Sequence, residues 1–381
     1  MMRSYLPGAT IGLMGSGQLG RMFAMAARRM DYRVHVFSPE SDTPAGQVAD
    51  LEVTSAYEDE TAVREFAKGV DLLTFEFENI PRQTIDWCAE ECDVRPAGAI
   101  LHAAQNRLRE KDFLSNAGIP VAEYRAVRSE ADLAEALNRI GTPAILKSGA
   151  FGYDGKGQRF IAERPEVPAL WTERPGDELI LERAVDFEKE VSVIVARTPD
   201  GSMATFPVCE NIHRDHILDI TFVPARVSST VEGEGAELAR AIAEKMELVG
   251  LLAVEMFLQR DGKLLVNELA PRPHNSGHWT SEGCATSQFE QHVRAVCGLT
   301  LGSTEILRPC AMANLLGDLW QGREPNWAAA LEVEGVHLHL YGKHQPRAKR
   351  KMGHLTALAA NAEAAIEAVS AARTALSRPT A

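Results

Sequence analysis

The chain has 381 residues, of which 45% are hydrophobic and 24% are charged, a composition typical of a globular protein with two or three domains. Its formal net charge of −13 argues against nonspecific binding to nucleic acid or anionic membranes, although local basic patches can still bind small anions. The six cysteines form no Cys-x-x-Cys pair and predict reduced thiols in a cytoplasmic protein. The sequence shows neither an apolar signal segment nor an apolar run of membrane-spanning length, so no membrane association is predicted.

A strand, a glycine-rich turn, a helix and a second strand form the first predicted unit. The strand at residues 10–14 precedes Gly15-Ser16-Gly17-Gln18-Leu19-Gly20, which precedes a helix at 21–30. Such a turn brings backbone N–H groups close to an anion at the helix start, and Glu40 lies where a dinucleotide fold has its ribose-binding acid. A nicotinamide-linked oxidoreductase is therefore the first functional interpretation, although many turns with this motif bind another ligand or only pack.

The next buried strand, at residues 70–75, leads directly into Glu76. Ligands of open α/β sheets bind at the carboxyl ends of strands, so Glu76 is a candidate ligand contact. Alternatively, it is an acidic residue that stabilises the start of the following helix. A charged amphipathic helix at 105–116, ended by Gly118, is predicted to lie near the first domain boundary.

Residues 122–146 are predicted to form a strand, a helix at 130–140 and a second strand, which ends at Lys147. The following loop, 148–158, is rich in glycine and contains Lys156, so both lysines can contact phosphate oxygens. The loop lacks the Gly-Lys-Ser/Thr of a Walker A motif. A lid that closes over phosphates and excludes water is the favoured interpretation, and a solvated turn is the alternative.

A hairpin at residues 251–269 carries the most specific signal. Asp261-Gly262 is predicted to form a two-residue type I′ turn, and continuing that register places Glu255 directly opposite Glu268. Two facing carboxylates lie about 5 Å apart at Cβ and repel each other. A shared proton, an arginine or a hard cation would offset the repulsion. We interpret the hairpin as the floor of a Mg²⁺–nucleotide site; the alternative is a surface hairpin with both carboxylates in water.

The rest of the chain is predicted to alternate strands and helices. The strands are 178–182, 190–197 and 336–341, and the helices are 234–249, 287–297 and 357–376. His337 and His339 share a face of their strand, but zinc is not favoured because a third ligand is missing. Residues 343–351 hold five basic side chains, which suggests either a binding site for a substrate phosphate or a solvated basic turn.

Four motifs together resemble a known enzyme family. They are Gly15-x-Gly17-Gln18-Leu19-Gly20-Arg21-Met22, Phe75-Glu76-Phe77-Glu78-Asn79, Phe151-Gly-Tyr-Asp-Gly-Lys-Gly-Gln158 and Asn267-Glu-Leu-Ala-Pro-Arg-Pro-His-Asn-Ser-Gly-His-Trp-Thr280. With them, the chain resembles the ATP-grasp superfamily and, within it, the 5-(carboxyamino)imidazole ribonucleotide synthase family. The resemblance implies an α/β and α+β protein, in which an ATP-grasp fold follows a Rossmann-like, pre-ATP-grasp domain. It also implies domains at 1–106, 107–185 and 186–381, the second being the lid.

The activity implied by the resemblance is the N-carboxylation of 5-aminoimidazole ribonucleotide with ATP and bicarbonate, through carboxyphosphate, by a Mg²⁺-dependent cytoplasmic homodimer. The implied ATP-binding residues are Arg107, Lys147, Gly152, Tyr153, Asp154, Gly155, Lys156, Gly157, Gln158, Glu182, Arg183, Ala184, Val185, Glu190, His213, Asn267 and Glu268. The implied ribonucleotide-binding residues are Gln18, Glu76, Tyr153, Asp154, Lys343 and Arg350. Glu255 and Glu268 would hold Mg²⁺, and Arg272, His274 and Lys156 would be catalytic.

Two departures from the family pattern stand out. Ser148, Gly149 and Ala150 occupy the place of the usual Thr-Arg after the strand lysine, and His216 stands where the family has glycine. Three alternative functions are kept, of which the last follows from the change at Ser148, Gly149 and Ala150. They are a formate-dependent glycinamide ribonucleotide transformylase, an NAD-linked oxidoreductase, and a nucleotide-binding protein that has lost catalysis. The Asn275–Thr280 segment distinguishes the chain from the transformylase.

Overall fold

The computed structural model describes residues 3–150, 157–174, 176, 178–320 and 322–378. The predicted lid residues 151–156, including Lys156, lie outside this part of the chain. The described residues form three β-sheets with helices packed against them. None of the described helices is both long enough and apolar enough to cross a membrane.

The first sheet is parallel, with the strand order β3-β2-β1-β4-β5. Its elements are β1 (Thr10–Met14), α1 (Gln18–Arg29), β2 (Arg33–Ser38), β3 (Leu51–Thr54), α2 (Glu60–Lys68), β4 (Leu72–Phe75), α3 (Arg82–Glu91), β5 (Asp93–Val94) and α4 (Gly98–Ala104). Central strands β1 and β4 are almost wholly buried, as expected where helices cover both faces of a parallel sheet. The carboxyl ends of β1 and β4 lie side by side, so the segments that follow them meet.

The second sheet is antiparallel, with the order β6-β9-β7-β8. Its elements are α5 (Arg107–Asn116), β6 (Tyr124–Val127), α6 (Glu130–Ile140), β7 (Ala144–Ser148), β8 (Gln158–Ile161), α7 (Val167–Thr172) and β9 (Leu179–Arg183). The predicted helix at 130–140 is confirmed: the Ser129 hydroxyl caps it by accepting a hydrogen bond from the Asp132 N–H. Its apolar residues recur at helical spacing and pack under the sheet.

The third sheet follows the order β15-β14-β10-β12-β13-β16-β18-β17, and β11 pairs with β10. Its elements are β10 (Phe187–Arg197), β11 (Met203–Thr205), β12 (Cys209–Arg214), β13 (Ile217–Val223), α8 (Ser229–Lys245), β14 (Gly250–Gln259), β15 (Leu264–Ala270), α9 (Thr280–Gly283), α10 (Gln288–Cys297), β16 (Cys310–Leu316), α11 (Trp327–Leu331), β17 (Val336–Leu340), β18 (Lys351–Leu358) and α12 (Ala362–Ala375). Helix α10 shares a hydrophobic core with α1 through Phe289, Val293 and Phe23. The first and third sheets are therefore packed together along these helices.

The predicted C-terminal helix at 357–376 begins too early. Residues up to Leu358 belong to β18, in which Leu355 and Ala357 are buried and pair with β16 and β17. Helix α12 begins after Asn361, whose side chain accepts a hydrogen bond from the Ala364 N–H. The alanines have high helix propensity, but pairing on both edges of the strand overrides it.

The predicted helix at 234–249 is also displaced. Helix α8 begins at Ser229, because the Ser228 hydroxyl accepts a hydrogen bond from the Val231 N–H and caps it. It ends at Lys245, and the chain then turns so that Leu248 enters the core of the large sheet.

Candidate active site

A pocket of about 1380 Å³ lies where segments of the three sheets meet. Among the residues that the structure describes, the predicted site residues that line it are Gln18, Glu76, Arg107, Lys147, Gln158, Glu182, Arg183, Ala184, Val185, Glu190, His213, Glu255, Asn267, Glu268, Arg272, His274, Lys343 and Arg350. Gly157 is described but does not line the pocket. Gly152, Tyr153, Asp154, Gly155 and Lys156 lie outside the described residues.

Glu255 and Glu268 are paired across β14 and β15, as predicted. The predicted two-residue type I′ turn is wrong, however. The Gln259 N–H donates to the Lys263 carbonyl at 2.9 Å, which closes a three-residue loop at 260–262. Gly262 has a φ of 85°, whereas Asp261 is not among the residues with positive φ. A three-residue loop requires the left-handed conformation only at its glycine.

The longer loop shifts the pairing near the turn by one residue, and a β-bulge shifts it back. Leu258 pairs with Leu264 and Met256 with Val266, but Glu255 pairs with Glu268. Asn267 is therefore the extra residue of the bulge. The predicted carboxylate pair is present because these two offsets cancel.

The paired carboxylates repel each other at the pocket, where the Glu255 side chain is 23% exposed and the Glu268 side chain 43%. Burial, and next the charge of Glu268, raise the pKa of Glu255 to about 7. The Nε2 atom of His274 lies 3.4 Å from Glu255, but burial keeps the pKa of His274 well below its usual range, so it remains neutral. Arg107 lies 3.5 Å from Glu268 and offsets part of its charge. Two carboxylates with this excess of negative charge provide the oxygen donors that Mg²⁺ prefers.

The described residues contain no cluster of three or more His, Cys, Asp or Glu side chains suited to a metal ion. A cation at Glu255 and Glu268 would therefore need further oxygen ligands from a bound molecule, and Mg²⁺ in nucleotide sites takes them from phosphates.

A buried ion pair lies at the end of β7. The Lys147 ammonium donates to the Glu182 carboxylate at 2.8 Å, and both side chains are buried. Although burial opposes the charge of Glu182, the nearby cations Lys147, Lys111 and Arg107 lower its pKa to about 2. Lys147 lines the pocket, where its ammonium can attract an anion.

The loop after β15 carries Arg272 and His274 on a rigid frame. The Gln288 side chain accepts a hydrogen bond from the His274 N–H at 2.9 Å and donates one to the His274 carbonyl at 2.7 Å. The Arg272 guanidinium pairs with Glu78, which follows β4. Glu78 was not among the predicted site residues. Its position at the carboxyl end of a buried strand, two residues after Glu76, is the signal that could have identified it.

The glycine-rich turn is already occupied by a carboxylate of the protein. Glu76 accepts hydrogen bonds from the Gly17 N–H at 2.7 Å and from the Gly20 N–H at 3.1 Å. A Cβ atom on Gly15 would lie 2.9 Å from a Glu76 oxygen, so glycine permits this approach. Glu76 thus fills the place at the helix start where a dinucleotide pyrophosphate would bind, and the oxidoreductase interpretation is wrong.

Basic residues also line the pocket. Lys343, Arg350 and Lys351 line it, and the Lys343 ammonium donates to the Lys351 carbonyl at 2.7 Å. Burial, together with the charges of Arg350 and Lys351, lowers the pKa of Lys343 to about 8. The part of the pocket near these three residues therefore favours an anion. Lys351 belongs to the predicted basic segment but was not predicted as a site residue.

The structure shows the backbone environment of the two departures from the family pattern, residues 148–150 and His216. The Arg107 N–H donates to the Gly149 carbonyl at 2.7 Å, and the Gly149 N–H donates to the Glu178 carbonyl at 2.7 Å. This segment is thus tied by its backbone to α5. His216 has a φ of 64° in the turn between β12 and β13, a conformation that glycine adopts at lower cost.

Comparisons with known proteins identify the class of protein to which this fold and pocket belong. Residues 8–105 match the ribonucleotide synthetase preATP-grasp domain, residues 112–289 the ATP-grasp domain, and residues 310–368 the phosphoribosylaminoimidazole carboxylase C-terminal domain. The chain is therefore an ATP-grasp protein with an N-terminal preATP-grasp domain, as the sequence predicted.

Individual relatives narrow this class. The chain is 47% identical to the N5-carboxyaminoimidazole ribonucleotide synthase of Bacillus subtilis (strain 168), over 92% of this chain and 91% of the relative. It is similar to the Staphylococcus aureus N5-carboxyaminoimidazole synthetase complexed with ADP (TM-score 0.90, 36% identity, 98% and 99% of the two chains). It is also similar to the Aspergillus clavatus synthase in complex with ADP and 5-aminoimidazole ribonucleotide (TM-score 0.87, 31% identity, 97% and 99%). The chain belongs to the N5-carboxyaminoimidazole ribonucleotide synthase family.

Proposed function

We propose that this enzyme uses ATP and bicarbonate to carboxylate the exocyclic amine of 5-aminoimidazole ribonucleotide in purine biosynthesis. The observation that carries the proposal is that one pocket is lined both by the opposed Glu255 and Glu268 and by the basic Lys343 and Arg350. The first pair suits a metal–nucleotide and the second a ribonucleotide phosphate. A relative 31% identical to this chain has been crystallised with ADP and 5-aminoimidazole ribonucleotide.

In the nucleotide half of the pocket, Glu255 and Glu268 would hold Mg²⁺. The cation would neutralise charge on the transferring phosphoryl group, the main requirement of phosphoryl transfer. Arg107 supplies positive charge beside Glu268, and Lys147, paired with Glu182, lines the same pocket. We propose ATP-binding roles for the remaining pocket residues Gln158, Glu182, Arg183, Ala184, Val185, Glu190, His213 and Asn267, and for residues 152–157.

In the acceptor half, Arg272 and neutral His274 would orient bicarbonate, whose oxygen attacks the γ-phosphorus to give carboxyphosphate and ADP. The amine nitrogen then bonds to the carboxyl carbon, directly or after CO₂ is released, while phosphate leaves and the nitrogen loses a proton. Carboxyphosphate hydrolyses in water, so closure of the lid that carries Lys156 would protect it. Gln18, Glu76, Lys343 and Arg350, with Tyr153 and Asp154 of the lid, would bind the ribonucleotide.

We also propose domains at 1–106, 107–185 and 186–381, a homodimer and a cytoplasmic location. Each of the three sheets falls within one of these ranges. The net charge of −13 supports a protein without nucleic-acid or membrane partners.

Phosphate release from MgATP tests the proposal, measured with and without bicarbonate and with and without 5-aminoimidazole ribonucleotide. We expect release that requires the ribonucleotide, together with formation of the carboxylated product. Glycinamide ribonucleotide with formate serves as the control pair, and turnover with it would assign the transformylase activity instead. Binding of ATP without release under any combination would indicate a nucleotide-binding protein, with Ser148, Gly149 and Ala150 as the leading cause.

A further inference from the structure

Strand β15 lies at one edge of the large sheet. On its outer side the Val266 N–H donates to the Pro120 carbonyl at 2.8 Å, next to a bridge between Val121 and Val266, and side chains of α5 bond to further backbone groups. The Lys111 ammonium donates to the carbonyls of Val266 and Asn267, at 3.1 and 3.0 Å. The Glu110 carboxylate accepts from the Leu269 N–H at 3.0 Å. Backbone groups that normally bond to a neighbouring strand are therefore bonded to two charged side chains.

Both charged residues are deeply buried, each with only 2% of its surface exposed. Burying an ionised group is costly unless hydrogen bonds compensate it. Arg107, Glu110 and Lys111 have the i, i+3, i+4 spacing of one helix face, and Arg107 contacts Glu268 between the two bonded segments. One face of α5 thus follows the backbone of β15 from Val266 to Leu269.

The contacts coincide with the bulge at Asn267. If the pairing of Leu258 with Leu264 and of Met256 with Val266 continued without a bulge, Glu255 would face Asn267 and Glu268 would face Val254. A slip of one residue moves a side chain to the other face of the sheet. The bulge is therefore what places the Glu268 carboxylate beside Glu255, and a bulge leaves backbone groups that need other partners.

We propose that Lys111, with Glu110 beside it, is a positioning residue for the cation site, because it holds the Asn267 bulge that brings Glu268 opposite Glu255. This inference rests on the proposed role of the two carboxylates in holding Mg²⁺. Lys111 itself bonds to backbone carbonyls behind the strand and would position the cation through Glu268. Its charge also helps to lower the pKa of Glu182, an effect that bears on nucleotide binding with or without Mg²⁺.

The test is calorimetric titration of ADP into the purified full-length protein, with and without Mg²⁺. Mutation of a residue that orients a metal ligand typically lowers metal affinity by ~10- to 100-fold. We expect Lys111→Met to lower the ratio of MgADP affinity to metal-free ADP affinity by about that factor, because the loss of charge near Glu182 affects both affinities and the bulge affects only the first. Glu110→Met should change the same ratio in the same direction.

Arg95→Met is the matched control. Arg95 is also a buried cation, and its guanidinium donates to the backbone carbonyls of Val296 and Arg3, but it does not line the pocket. It is expected to lower stability without changing the ratio of MgADP to ADP affinity. If Lys111→Met alters that ratio no more than Arg95→Met does, the positioning role is refuted.

Two further variants separate the possible failures. Lys111→Gln keeps a hydrogen-bond donor, so its effect should lie between those of the parent and Lys111→Met. If Lys111→Met does not fold, Lys111→Gln decides the question by the same comparison with Arg95→Met. Glu268→Gln reports on the cation site itself. If Glu268→Gln leaves the MgADP preference intact, the proposed metal site is wrong; if it abolishes the preference while Lys111 variants behave like the control, only the positioning role is wrong.

Discussion

Glu76 and the pair Glu255–Glu268 are carboxylates in the same pocket, but they are stabilised in different ways. Glu76 accepts two backbone N–H groups at the start of α1. Glu255 instead faces a second carboxylate. Burial raises the pKa of both Glu76 and Glu255. Backbone hydrogen bonds oppose this rise at Glu76, whereas the charge of Glu268 raises the pKa of Glu255 further.

The difference separates a carboxylate that the protein itself stabilises from a carboxylate pair that needs a cation. A carboxylate that is already bonded to a helix start needs no cation and blocks the anion site that the helix would otherwise provide. The opposed pair is contacted by Arg107 on the Glu268 side, but two facing carboxylates retain negative charge that a cation can neutralise. The glycine-rich motif alone suggests that the start of α1 binds a phosphate; the hydrogen bonds of Gly17 and Gly20 to Glu76 show that it binds a carboxylate of the protein instead.

Glu255→Gln should have the largest effect, and on turnover. Loss of one carboxylate from the proposed cation site is expected to lower phosphate release roughly 100- to 1,000-fold, the range seen when a charge-stabilising group is removed. Stability in urea should stay equal or rise, because Glu268 no longer faces a second carboxylate. Glu234→Gln, at an exposed position of α8, is the control. Unfolding of Glu255→Gln, or turnover like that of the parent, would contradict the opposed-carboxylate interpretation.

Glu76→Gln should have the opposite signature, a loss of stability. The amide can accept only through its one oxygen, and its NH₂ group would face a backbone N–H. We expect the free energy of unfolding to fall by about 1–3 kcal/mol, the cost of leaving a buried donor unsatisfied. Urea unfolding measures it, with Glu40→Gln, an exposed acid of the same pocket, as the control. If Glu76→Gln is as stable as Glu40→Gln, the carboxylate does not hold the turn.

Local sequence patterns predicted much of the fold. The strand at 10–14 and the helix at 130–140 are confirmed with their bounds, since a buried run and a capped 3.6-residue periodicity are local signals. Strand β18 was missed where alanines favour helix, because its pairing with β16 and β17 depends on residues distant in sequence. Local propensity cannot report such partners.

The site was predicted where chemistry and spacing coincide, as at Glu255 and Glu268. Glu78 and Lys111 were missed because each acquires its role through a contact with a residue that is distant in sequence. Glu78 acquires its role through Arg272, and Lys111 through the carbonyls of β15. A charged face on α5 predicts a solvated helix, and only tertiary packing buries it.

The smallest predicted effect concerns the loop that joins the two carboxylate strands. In the three-residue loop only Gly262 has positive φ, so Gly262→Ala should cost about 1 kcal/mol, measured by urea unfolding. Asp261 accepts a hydrogen bond from the Lys263 N–H at 3.2 Å, so Asp261→Gly should also destabilise the protein. If the turn were of type I′, Asp261 would have a positive φ, and the same substitution would stabilise the protein. Turnover should remain near that of the parent in both variants, because the bulge at Asn267 lies between the loop and the carboxylate pair and can keep Glu268 in place. Loss of turnover with Gly262→Ala would mean that the loop, and not the bulge held by α5, determines the register of the site.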